Sequence, residues 1–82
     1  MPTVMRIGAW RVAIYPNDHR PAHVYVIGQG HEAVFTLNDP AGSVAIRENY
    51  GFPAHDVLRI QCVLEENLAA LLRAWEDIHG AK

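Results

Sequence analysis

Apolar residues in the first half of the chain recur at every second position. From Trp10 to Tyr15 they alternate, placing Trp10, Val12 and Ile14 on one face and Arg11, Ala13 and Tyr15 on the other. Val24 and Val26 alternate against His23, Tyr25 and Ile27, and Ala33, Phe35 and Leu37 alternate against Glu32, Val34 and Thr36. Successive side chains of a strand point to opposite faces, so this period predicts strands with one covered face. Thr3 to Ile7 is a weaker strand candidate, set off by Gly8. Gly28-Gln29-Gly30-His31 joins two alternating runs and predicts a hairpin turn, with His31 in solvent. Asn38-Asp39-Pro40-Ala41-Gly42-Ser43 is loop chemistry, Val44 to Ile46 a short edge strand, and Asn49-Tyr50-Gly51 a second turn.

The period then changes. Val57, Ile60, Leu64, Leu68, Leu71, Trp75 and Ile78 follow one another at steps of three or four, the spacing of one helix face. Glu65, Glu66, Arg73, Glu76 and Asp77 fall outside that stripe. Pro53 suits the first helical position, Asp56 the positive end of the helix dipole, and His79 followed by Gly80 makes a stop. The simplest expectation is one helix over about 54–79. Such a helix is about 39 Å long at 1.5 Å per residue, whereas strands of six residues span about 20 Å. Either the helix breaks near Asn67, or Leu68, Leu71, Leu72, Trp75 and Ile78 overhang the sheet and pack on another chain. The unbroken phase of the stripe favours the overhang, and with it a homodimer. The expected fold is α+β: a small antiparallel sheet of three to five strands over roughly residues 3–48, and a long C-terminal helix on one face. Residues 1–82 read as one domain.

Composition narrows the function classes. Half of the 82 residues are hydrophobic, so a core is available. A chain this short buries only about 60–65% of its unfolded surface, and dimerisation would help it. The net charge is −2 and there is no basic run, which excludes a non-specific grip on a phosphate backbone. One cysteine, Cys62, rules out an internal disulfide and a multi-thiolate metal site, and fits a reducing, cytoplasmic setting. Met1-Pro2-Thr3 lacks a charged-then-apolar pattern and no apolar run approaches a membrane span, so neither a signal peptide nor a membrane partner is expected. No cofactor is expected.

Candidate chemistry concentrates in Asn17 to Val26, NDHRPAHVYV. Pro21 fixes its own φ and pushes Arg20 toward extended backbone. His23 and Tyr25 then leave the third strand on one face, opposite the helix, and Arg11 and Tyr15 share that face. Three chemistries can use the set. Metal-free RNA cleavage would take His23 as general acid or base, Tyr25 as an assisting group, and Arg11 or Arg20 on the phosphate. A divalent metal would take Asp18, His19 and His23, although the spacing of the two histidines suits a helix and Pro21 argues against one. Binding alone would use Asp18, His19, His23 and Tyr25 as a recognition patch. The bland alternative has Asp18 and His19 bonding the loop backbone while Tyr25 packs over the sheet. His55 reads as exposed, Cys62 as a passenger thiol, and Trp10 and Trp75 as core or interface.

The segments MPTVMRIGAWRVAIYPNDHRPAHVYV, EAVFTLNDP, ENYGF and VLRIQCVLEENLAALLRAWEDIHG, in that order, resemble the bacterial DUF4160 family, a domain of unknown function. The resemblance covers nearly the whole chain. Its motif, Asp-His-x-Pro-Pro-His-x-His, is matched by Asp18, His19, Pro21 and His23. Ala22 stands where the second proline is usual and Tyr25 where the last histidine is usual. A tyrosine is a weaker metal ligand there, yet can stand in for an imidazole as a hydrogen-bonding group. The resemblance implies one half of a small, toxin–antitoxin-like pair of neighbouring genes, with a short cognate protein as partner. The leading expectation is therefore a cytoplasmic binding protein, the alternative a metal-independent ribonuclease toxin acting on RNA, and the minor one a divalent-metal protein.

Overall fold

In the computed structural model, which describes residues 3–15, 21–38 and 43–79, five strands precede two helices. The strands are β1 (Thr3–Ile7), β2 (Trp10–Ala13), β3 (His23–Gly28), β4 (His31–Asn38) and β5 (Ser43–Tyr50), and the helices are α1 (Ala54–Glu66) and α2 (Leu68–His79). Each strand pairs antiparallel with the one before it, giving the sheet order β1-β2-β3-β4-β5. The two-residue turns carry the left-handed backbone such hairpins need. Gly8, φ 59, follows Ile7, which pairs with Trp10. Gln29, φ 54, and Gly30, φ 78, lie between the paired Gly28 and His31, the pattern of a type I′ turn. A non-glycine residue in that conformation costs about 1–2 kcal/mol. Gln29 is tied down there, because its Oε1 accepts the Trp10 Nε1–H at 3.1 Å.

The faces follow the alternation in the sequence. Val12, Ile14, Val24, Val26, Ala33, Phe35, Leu37 and Val44 form one buried cluster with Ile60 and Leu64 of α1 and Leu68, Leu71 and Trp75 of α2. Both helices thus cover the same side of the sheet, and no other described helix or strand covers the opposite, open side. Phe52 enters this core through a short device. Asn49 accepts the Phe52 N–H through Oδ1 at 3.0 Å and donates through Nδ2 to the Phe52 carbonyl at 2.9 Å. The two bonds bracket Gly51 at φ 107, and Phe52 packs edge-on against Trp10 and His31, both at 5.1 Å.

The single helix over 54–79 is not what forms. The helix breaks at Asn67, whose ψ of 18° departs from the helical value. Asn67 bonds to both sides of the break: its side-chain Nδ2 donates to the Val63 carbonyl at 2.9 Å, while its backbone carbonyl accepts the Leu71 N–H of α2 at 2.9 Å. The overhang disappears with it. Leu68, Leu71 and Trp75 are 7%, 2% and 3% exposed within the chain itself, and Leu72 and Ile78 are partly buried against the same core. Leu68, Leu71 and Trp75 are therefore covered by their own chain, and of the five residues expected to meet a second copy only Leu72 and Ile78 keep part of their surface exposed. Pro53 precedes the first helical residue rather than occupying it. No helix among the described residues is long and apolar enough to cross a membrane.

Strand β5 runs on through Asn49 and Tyr50, where the sequence predicts a turn, because Ala33 and Glu32 pair with them. Arg47 is an extra residue, since Phe35 pairs with Ile46 and the neighbouring Val34 with Glu48. The outer edge of this strand is partly closed by α1. The Val44 N–H donates to Glu65 Oε2 at 3.0 Å, and the Val44 carbonyl accepts Gln61 Nε2 at 2.5 Å. Side chains thereby occupy peptide groups that an uncovered edge offers to other strands.

Candidate functional site

The open face is defined by three rows of paired residues. The middle row reads Thr3, Ala13, Tyr25, Val34 and Glu48 across the five strands. One step along the strands, Arg6, Arg11, Ile27, Glu32 and Tyr50 form a second row. One step the other way, His23 pairs with Thr36 and Thr36 with Ala45. Strand alternation therefore brings His23, Tyr25 and Arg11 to one face, away from the helices, as the sequence predicts.

Three rings gather at the centre. The Tyr15 and Tyr25 rings stand edge-on at 4.4 Å and 60°, and the Tyr25 and His23 rings at 5.6 Å and 62°. Tyr15 and Tyr25 are half-buried, whereas His23 is only 5% exposed. Ala13 and Val34 are also buried, although neither belongs to the helix-packed cluster. Ala13 and Val34 flank Tyr25 in the middle row, beside the three rings.

His23 has a defined tautomer. Its Nδ1 lies 2.7 Å from the Pro21 carbonyl oxygen. A carbonyl only accepts, so Nδ1 carries the hydrogen and the neutral ring holds its lone pair on Nε2. This is the arrangement a general base or a hydrogen-bond acceptor requires. Arg11 lies diagonal to Tyr25, since Ala13 is the direct partner of Tyr25. Diagonal neighbours on one face are about 7–8 Å apart, within reach of a long side chain. The Arg11 Nη1 makes a long contact of 3.5 Å to Thr3 Oγ1.

The other side of the face is acidic. Tyr50 donates its hydroxyl to Glu48 Oε1 at 3.0 Å. That bond and the Glu48 charge, followed by desolvation and the Glu32 charge, push the Tyr50 phenol above its usual value of 10.0. Sequence reasoning placed Tyr15 on this face without naming it a candidate, and it missed Arg6, Glu32, Glu48 and Tyr50. Only the register shows that these belong to the same surface.

Asp18, His19 and Arg20 lie outside the described residues, so the recognition, phosphate and metal roles expected of them have no geometry here. Among the described residues no three or more His, Cys, Asp or Glu side chains form a group able to hold a metal ion. His31 is not a solvated turn residue: it opens β4, half-buried against Phe52. His55 is 82% exposed beside Asp56, and Cys62 is exposed. A groove of about 590 Å³ runs between β5 and α1, lined by Ile46, Val57 and Leu58 among others, and contains none of the candidate residues.

The family model described as Domain of unknown function (DUF4160) matches residues 9–76, a span that includes every ring of the cluster. No curated protein and no solved structure matches.

Proposed function

We propose that this chain, which belongs to the DUF4160 family, is a protein-binding component of a toxin–antitoxin-like, two-protein module, with the open face of its sheet as the recognition surface. The observation that carries the binding part is the ring cluster: Tyr15 and Tyr25 stay half-buried on the one side of the sheet that the helices leave uncovered. Aromatic residues and arginine are the enriched residues of protein interfaces, and charged residues suit the rim. Here Ile27, Tyr25 and Tyr15 make the centre, and Arg6, Arg11, Glu32 and Glu48 the flanks. The module part rests on the family resemblance. The test is co-expression with the short protein encoded beside this one. Tyr25→Ala is expected to weaken the complex at least roughly tenfold, the scale of an interface tyrosine, while leaving the fold intact. Unchanged affinity in both Tyr25→Ala and Tyr15→Ala would overturn the reading.

A second reading, a metal-independent ribonuclease toxin, is favoured by the His23 Nδ1 contact to the Pro21 carbonyl, which orients the ring and places the neutral form's lone pair on Nε2. Tyr25 would assist and Arg11 or Arg20 would take the phosphate. The near-complete burial of His23 and the carboxylates of Glu32 and Glu48 on the same face weigh against it. Growth arrest on expression, relieved by His23→Ala together with loss of RNA cleavage, would support it over the binding reading.

A further inference from the structure

The open face is electrically antisymmetric about its central strand. On one side of β3 stand Arg6 of β1 and Arg11 of β2, and on the other Glu32 of β4 and Glu48 of β5. Between them Ile27 and Tyr25 supply an apolar and aromatic midline, both half-buried. Among the described residues no ion pair joins the two halves. Arg6 and Arg11 are direct cross-strand partners, a like-charge pairing that costs stability unless an anion comes to it. On the acidic half Glu48 accepts the Tyr50 hydroxyl at 3.0 Å, and no described cation pairs with Glu32 or Glu48.

We infer that the open face joins two copies of this chain, packed sheet on sheet about a twofold axis parallel to β3. This inference rests on the reading that the open face binds protein, and adds a second copy as an occupant that a module partner would have to displace. The geometry selects the axis. A twofold parallel to the strands keeps each residue's height along the strand and exchanges left for right. The row Arg6, Arg11, Ile27, Glu32, Tyr50 then meets its own reverse: Arg11 faces Glu32 of the second copy, Arg6 faces the Tyr50 and Glu48 side of it, and Ile27 meets Ile27. A twofold across the strands would lay the arginine-bearing half of each copy over the same half of the other, an arrangement that like-charge repulsion opposes. Packed sheets stand about 10 Å apart, a gap that an arginine and a glutamate span from opposite sides.

The size of the face sets the strength. Five strands about 4.8 Å apart and about 20 Å long make a plane of roughly 500 Å², below the roughly 800 Å² per partner of a standard interface. A face of this size with charged flanks makes a small interface whose strength falls as salt rises.

Sedimentation equilibrium tests it on the whole chain, with the parent, Arg11→Glu, Glu32→Arg and the double swap. All three variants change surface positions, and circular dichroism checks that each folds. The parent is expected to dimerise, each single swap to raise the dissociation constant at least roughly tenfold, and the double swap to restore most of the loss, since it rebuilds both pairs with the charges exchanged. A monomer at concentrations of several hundred micromolar would overturn the inference, as would a dimer indifferent to all three variants. If the chain is monomeric and still loses its neighbour-encoded partner on Tyr25→Ala, the inference fails and the binding function stands. If that partner binding is also unaffected, both fail.

Discussion

Leu71→Ala distinguishes a helix stripe buried by its own chain from one buried by a second copy. Leu71 is 2% exposed and belongs to the cluster that joins both helices to the sheet. Truncating a leucine buried to this degree costs about 2–5 kcal/mol, part from lost transfer energy and part from the cavity left behind. An 82-residue chain has roughly 4–12 kcal/mol of stability in total, so the variant sits near its folding threshold. At about 4–8 °C per kcal/mol for a domain of this size, a loss of about 3 kcal/mol lowers Tm by roughly 12–24 °C. The assay is thermal and urea unfolding of parent and variant over a roughly fiftyfold range of protein concentration. Burial within the chain makes the difference between the two proteins the same at every concentration, even if both melt later when more concentrated. Leu58→Ala, on α1 but 64% exposed, serves as the control and should stay within about 0.5 kcal/mol of the parent. A Leu71→Ala cost below about 1 kcal/mol, or a difference that shrinks on dilution, would refute burial of the stripe within a single chain.

Two further outcomes follow from named atoms. Gly51→Ala should cost roughly 2–3 kcal/mol, because at φ 107 the new Cβ comes within 2.5 Å of His31 Nδ1, whereas Gly8→Ala, at φ 59 in open space, should cost about 1 kcal/mol. Urea midpoints give both, and in a His31→Ala background the gap between them should narrow; an equal cost at the two glycines would rule the clash out. Tyr50 should ionise above its usual 10.0 and return toward it in Glu48→Gln, read by ultraviolet titration against Tyr50→Phe. A phenol with a raised folded-state pKa contributes stability below the unfolded value and loses it as pH rises through the folded one, so the effect belongs to the window above pH 10. A Tyr50 titration that Glu48→Gln leaves unmoved would show that the carboxylate is not its cause.

The faces of the sheet were legible because each strand has one covered side: Val12, Val24, Val26 and Phe35 could be placed with the core, and His23 and Tyr25 against it, from alternation alone. Where pairing overrides local preference, the pattern falls silent. Asn49 and Tyr50 look like a turn, yet Ala33 and Glu32 hold them in β5, and the extra residue Arg47 breaks the alternation that would have revealed a long strand. The helix break was hidden for a different reason. A one-residue interruption leaves the three-and-four spacing from Leu64 to Leu68 intact, so periodicity cannot detect it. The local signal was Asn67 itself, a weak helix former whose amide can bond a nearby backbone carbonyl. The charge layout of the open face was illegible because it depends on which residues face each other across four pairings.

The break at Asn67 also bears on the character of the site. With the break at Asn67, the buried residues of α1 and α2 join one cluster on a single face of the sheet, and the other face has no part in that main core. What is buried there, Ala13, Val34 and His23, is buried beside tyrosine rings with polar tips, outside the cluster that the helices close. Association through such a surface must draw on a small aromatic centre and on charges in partial contact with water, so it is reversible and sensitive to salt. On the proposed reading, folding and binding are carried by opposite sides of one sheet. Tyr25 is the position where that separation is sharpest: its truncation removes the middle of the recognition surface while the helix-packed core beneath β3 keeps all its members.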